Sequence, residues 1–260
     1  MPAATITFEH PLNECIRICL RLEYLFAQFQ QRISHANFSA DSARVAIDLL
    51  IEMLNVIDRP DLKSKLTQTL TQNVATLGQL QQLPQINQKH LREILATLDP
   101  LLNELHSTHT KIAESLRTND FLNAVRAHIH NPGGVCDFAL PVFALWLTRD
   151  PNELKQQLDT WFQEFNLLKN ISRIILELTR ESTLPEKIIA SDGFYQRTLN
   201  PATPCQLIRI TVATDLNIYP ELSVGKHRLS VHFLETSYLD GKRFGVHQQD
   251  IEFELSCCRV

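Results

Sequence analysis

ISRIILELTRESTLPEKIIASDGFYQ, residues 171–196, holds the point at which the chain changes its period. Ile171, Ile174, Ile175 and Leu178 recur at the spacing that lines one face of a helix. Leu184-Pro185 stops that pattern and a period of two takes over. Segments 188–196, 206–214, 227–234 and 250–256 then read as strands. In the second, Ile208, Ile210 and Val212 share a face. Leu229, Val231 and Phe233 do so in the third, and Ile251, Phe253 and Leu255 in the fourth. Such alternation marks half-buried strands of an antiparallel sheet. Helices first and strands last predict an α+β fold with segregated layers. The expected domains are a mainly helical one over 9–184 and a small antiparallel β domain over 185–260. Residues 4–8, ATITF, add a short N-terminal strand available to that sheet.

The helical part reads outward from the same boundary. Residues 151–166 and 168–183 predict two helices, the first opened by Pro151 in a favourable starting position. Segments 140–147 and 118–130 predict two more. Residues 87–116 read as one long helix with Pro100 as a kink point. Leu83-Pro84 reads as a turn, and Leu62, Leu66, Leu70, Val74 and Leu77 mark another helix. Ala43, Ala46, Ile47, Leu50, Leu54 and Ile57 line a helix that starts near Ser39 or Asp41, with Asp41 as N-cap, and stops before Pro60. Over 12–31 the polar residues Glu14, Arg17, Arg21, Gln28 and Gln31 form one stripe on an otherwise apolar helix. A helix with so narrow a polar face is largely buried, so its two arginines are placed with some precision.

Composition bounds the function. The 260 residues are 44% hydrophobic and 21% charged, with a formal net charge of −4. That balance argues against a general nucleic-acid binder. No apolar run approaches the ~20 residues of a membrane helix, and MPAATITFEHPLNE lacks the regions of a signal peptide. Six cysteines without a C-x-x-C pair fit a cytosolic chain with buried free thiols.

The Gly-Gly pair in NPGGVCDFALP, residues 131–141, lacks the Lys and Ser/Thr of a phosphate loop and the serine of a nucleophile elbow. It reads as a structural corner after a helix. Cys136 beside it supports an alternative reading, a cytosolic enzyme with a thiol or small-anion site completed by a histidine. An inert buried thiol is the plainer expectation. His106 with His109, and His128 with His130, lack the context of a metal site. Asp48 and Glu52 read as a solvated helix face. Lys226, Arg228, Ser230 and His232 alternate along GKHRLSVHFLE and share one strand face. They serve either as cross-strand partners of Asp250, Glu252 and Glu254 or as a basic docking surface for an acidic peptide or anion.

FEHPLNE over 8–14, R-x-x-x-R-L-E over 17–23, PGG-x-C-x-F-x-LP over 132–141 and GFYQ over 193–196 form a set. YP-x-L-S-x-G-K-x-R from Tyr219 and the closing FEL-x-CC over 253–258 complete it. In that order, and spread over the whole chain, these segments resemble the ZapD family of Z-ring-associated bacterial cell division proteins. The resemblance implies a homodimer without catalysis, cofactor or metal. It implies binding to the C-terminal tail of the tubulin-like protein FtsZ and cross-linking of FtsZ filaments, in the cytoplasm at the mid-cell division ring, with neither nucleic acid nor membrane as partner. Arg17, Arg21, Arg59, Arg117, Lys226 and Arg228 match basic positions of the family at or near its tail-binding surface, and His232 stands where the family pattern has arginine. Asp120 and Ala144 depart from that pattern, replacing a basic residue and a histidine.

Overall fold

The computed structural model describes residues 4–80, 88–107, 111–235, 245 and 247–259. The chain forms two compact units, Ile18–Ile175 and the discontinuous pair Met1–Arg17 with Leu176–Val260. The fold is α+β, as the change of period predicts, with the helices first and the N-terminal strand joining a sheet.

Nine helices are present among the described residues: α1 (Glu14–Ile33), α2 (Ala40–Ile57), α3 (Leu62–Leu80), α4 (Gln88–Ser107), α5 (Glu114–Arg117), α6 (Asp120–His128), α7 (Pro141–Leu147), α8 (Pro151–Gln163) and α9 (Asn166–Glu181). The N-cap of α2 is Ser39, whose hydroxyl accepts from Ser42 N at 3.4 Å. Asp41 instead sits in the first turn, where a carboxylate suits the positive end of the helix dipole. All six apolar residues expected on its inner face are buried. Phe29 stacks on Phe162 at 4.6 Å, and Phe121, Phe143, Trp146 and Trp161 form a second aromatic cluster within the same unit.

The expected single helix over 87–116 is corrected. Helix α4 ends at Ser107, and Ala113, at φ 52°, precedes a separate short α5. The Glu114 carboxylate accepts from Lys111 N at 3.0 Å, which favours a new start over continuation. Residues 108–110 of that segment, and the expected turn at 83–84, lie outside the described residues.

The discontinuous unit holds two antiparallel sheets. One has the order β1 (Thr5–Pro11), β4 (Leu207–Ala213), β7 (Ile251–Cys258), β2 (Glu186–Ala190). The other has the order β3 (Phe194–Thr198), β6 (Arg228–Glu235), β5 (Ile218–Val224). The three apolar sets read from the alternation form one core with Ala190, Ile218 and Cys257. Two strand readings are corrected. The segment 188–196 is two strands in different sheets, separated by a turn in which Asp192 and Gly193 have φ 50° and 71°. A Cβ at Gly193 would lie 2.1 Å from the His247 carbonyl oxygen, so the turn demands glycine. Strand β5 escaped the sequence reading because Pro220 lies inside it. It is an edge strand, where a missing N–H is tolerated.

Candidate functional site

Strand β6 presents Arg228, Ser230 and His232 away from the core formed by Leu229, Val231 and Phe233. Its neighbours are β3 and β5, not β7. The carboxylates of Glu252 and Glu254 therefore lie in the other sheet, and they are not the cross-strand partners of this stripe. Arg228 faces Thr198 on β3, and in the turn after β5 its carbonyl accepts from Gly225 N at 2.8 Å. His232 stands between Phe194 and Glu221 in register, with the Phe194 ring 4.6 Å away. Lys226 lies in the tight turn that joins β5 to β6. Among the described residues no carboxylate pairs with Lys226 or Arg228, and both side chains are exposed.

Lys226 also edges a cleft of ≈ 250 Å³ whose walls are mostly apolar, built from Leu12, Leu199, Pro201, Pro204 and Val224. The backbone N–H of Leu12 donates to Gln206 O at 2.8 Å, which fixes one wall to the loop before β4. Sequence reasoning missed this cleft. Its only linear trace is the pair Pro201 and Pro204, three apart in a loop. Arg17, at the start of α1 in the same unit, reaches Glu14 at 3.0 Å and the Pro11 carbonyl at 3.4 Å, with 60% of its side chain exposed.

The other predicted residues belong to the helical unit. Arg21 pairs with Glu52 and lies 5.7 Å from the Tyr24 ring centre, so both groups of the pair are half exposed rather than free. Arg59 and Arg117 line a second cleft of ≈ 320 Å³ with Lys63 and Lys111. Both lysines were missed, being far apart in sequence. Arg117 is the most committed of the set. It donates to the carbonyls of Ile57 at 2.6 Å and Ile112 at 2.9 Å, and to Asp58 at 2.6 Å. Arg126 holds the other Asp58 oxygen at 2.5 Å. Arg117 therefore shapes the cleft as a strut.

Charge is also organised around Glu9 on β1. Arg180 grips its carboxylate through two bonds of 2.8 and 2.7 Å, and Arg209 on β4 adds a third at 2.9 Å. Burial pushes this carboxyl up, but the hydrogen bonds and charge of Arg180 and then Arg209 outweigh it and hold it below its usual range. Asp48 corrects the reading of a solvated face. One of its oxygens is buried without a hydrogen-bond partner, and burial raises its carboxyl above the ordinary value despite Arg44.

The Gly-Gly loop is a corner. Gly134 takes φ 55° and donates to Asn131 O at 2.8 Å, while a Cβ on Gly133 would crowd Ala139 at 3.2 Å. Cys136 is exposed there, contrary to the expected buried thiol. His128 Nδ1 bonds the Ala124 carbonyl of its own helix at 2.8 Å, and His109 lies outside the described residues. Among the described residues no three His, Cys, Asp or Glu side chains group as a metal site.

A family model described as ZapD, cell division protein, matches residues 20–232. The chain belongs to the ZapD family. A protein of that name from Coxiella burnetii (strain RSA 331 / Henzerling II) is 46% identical over 260 residues, covering all of both chains. Those from Aromatoleum aromaticum and Methylococcus capsulatus are 32% and 31% identical, covering 98% and 97% of this chain and 98% of each relative. These are names of a cell division protein and not of an enzyme. The ZapD match takes in six of the seven predicted basic residues, and the full-length relatives extend it to Arg17. No described helix is long and apolar enough to cross a membrane.

Proposed function

We propose that this chain binds the C-terminal tail of FtsZ and, as a homodimer, cross-links FtsZ filaments in the cytoplasm at the mid-cell division ring. The role needs neither catalysis nor a cofactor, and neither nucleic acid nor membrane as partner. The observation that carries it is the pair Lys226 and Arg228, two exposed cations without a carboxylate partner among the described residues, beside an apolar cleft. An acidic peptide supplies the missing anions through charge-assisted hydrogen bonds, and its apolar side chains fit between Leu199, Pro204 and Val224. His232 on Phe194 extends the same unit's polar face. Arg17 adds charge on that unit, and Arg21, Arg59 and Arg117 do so on the helical one. One tail binds weakly, because ordering a flexible peptide offsets much of the contact energy. Two sites per dimer and many tails per filament turn weak contacts into cross-links.

Co-sedimentation with GTP-polymerised FtsZ tests the reading, using full-length FtsZ and a form without its C-terminal tail. The expected result is pelleting and bundling with the first only. Equal pelleting with both moves the contact to another FtsZ surface, and pelleting with neither overturns the reading.

A further inference from the structure

Strand β1 is seven residues long and pairs with β4 on one side only. Thr214 N donates to Ala4 O at 2.9 Å and Leu12 N to Gln206 O at 2.8 Å, at the two ends of one unbroken register. Backbone groups alternate in direction along an antiparallel strand. Those of Ile6, Phe8 and His10 therefore face β4, and those of Thr5, Thr7 and Glu9 face outward. Among the described residues nothing bonds these outward N–H and C=O groups, and Thr5, Ile6 and Thr7 are exposed. Arg17 takes the next outward carbonyl, that of Pro11, at 3.4 Å and so ends the row.

An open edge is a template for another strand, and proteins guard it with proline, charge or short length. Among the described residues the other edges are guarded. Just past β5, Gly225 N bonds Arg228 O, so the odd residues of β5 face β6 and Pro220 removes a donor from the outward side. Strands β2 and β3 have five residues each, and Glu186 on the one pairs with Arg197 on the other at 2.9 Å. Before Pro11, β1 has neither proline nor lysine, and its one carboxylate, Glu9, is already held by Arg180 and Arg209.

We propose that β1 is the seam of the homodimer, pairing antiparallel with β1 of a second copy around a two-fold axis at Thr7. The inference rests on the dimer of the proposed function and says where it closes. In this register Thr7 meets Thr7, and Thr5 meets the second copy's Glu9, each pair exchanging N–H···O bonds both ways. Such a contact is isologous and stops at two chains. Ile6 and Phe8 share one strand face, and Phe8 packs on the β core. Ile6 is 43% exposed. The second copy's Phe8 falls directly opposite and covers it, so the apolar layer continues through the axis. Charge selects the same occupant. Uncharged Thr5, Ile6, Thr7 and Phe8 line the seam and Glu9 is neutralised within its own chain, so an acidic peptide finds no open cation here.

The test reads single-residue amide exchange and sedimentation on the full chain. In the wild-type dimer the amides of Thr5, Thr7 and Glu9 should be protected and should lose protection on dilution to monomer, while those of Ile6, Phe8 and His10 stay protected throughout. Thr7→Lys and Thr7→Glu each set like charges across the axis, so either alone should dimerise about tenfold more weakly or worse. An equimolar mixture of the two should regain the dimer. A wild-type dimer whose Thr5, Thr7 and Glu9 amides exchange freely overturns the seam and leaves the homodimer standing. So does Thr7→Lys that dimerises like wild type, or a mixture that stays monomeric. A monomeric wild-type chain overturns both.

Discussion

Arginines that look alike in sequence have different work in the structure. Arg228 makes no ion pair among the described residues, whereas Arg117, with 18% of its side chain exposed, holds two carbonyls and Asp58. Arg228→Glu or Lys226→Glu should therefore weaken binding of an FtsZ tail peptide at least tenfold, read by fluorescence anisotropy, and leave the melting temperature within a degree or two. Unchanged affinity in both variants removes the basic turn from the site. Arg117→Ala should do the reverse first, lowering stability by roughly 2–3 kcal/mol in urea titration, because carbonyls and a carboxylate lose their donor. Only the resemblance to the ZapD family put Arg117 beside Lys226 and Arg228, whose alternation was legible. Their division into free and committed groups was not, because Asp58 and Ile57 reach Arg117 across 59 and 60 positions. No local pattern encodes such a contact.

At the scale of elements, the alternation of Ile208, Ile210 and Val212 was enough to place a strand and choose its inner face. Pairing was not legible. The stripe on β6 lies between β3 and β5, so its neighbours are Phe194, Thr198 and Glu221 rather than the carboxylates of β7. Period two carries no information about which strand lies alongside. The same limit hid the break at Gly193, where a turn, not a change of hydrophobicity, ends one strand and starts another. Glu9 joins β1 to β4 and to Arg180, and its effect has a definite sign. Its carboxyl is lower in the folded protein than the ordinary 4.5, so its contribution is present above that value and is lost as pH falls through the folded one. Glu9→Gln should cost about 1–2 kcal/mol at pH 7, discounted for partial exposure. The difference from wild type should shrink below pH 4.5 in thermal melts. A gap that persists at low pH assigns the effect to shape rather than charge.

For the whole molecule, net charge and binding charge are distinct. A chain of net −4 still carries local positive groups, which the proposed acidic tail would meet. Exposed attraction of this kind is screened beyond ~8–10 Å near physiological ionic strength. Bundling followed by light scattering should fall as salt rises, and salt-independent bundling would falsify an electrostatic dock. Valency should show as a gap between an isolated tail peptide and a filament, with the filament binding ~10²–10⁴ more tightly. Equal affinity for the two means that a single site does all the binding.

The interleaved sheet has a consequence for how the protein is made. Thr7 and Thr211, whose hydroxyls share a hydrogen bond, are 204 positions apart, and β7 separates β4 from β2. A ribosome adding 5–20 residues per second exposes β1 roughly 10–40 s before its partner strand exists. The helical unit is complete in the meantime. Chains stalled before residue 251 should leave β1 open to protease and chaperone, and synthesis through β7 should protect it. The first strand made is among the last to find its place.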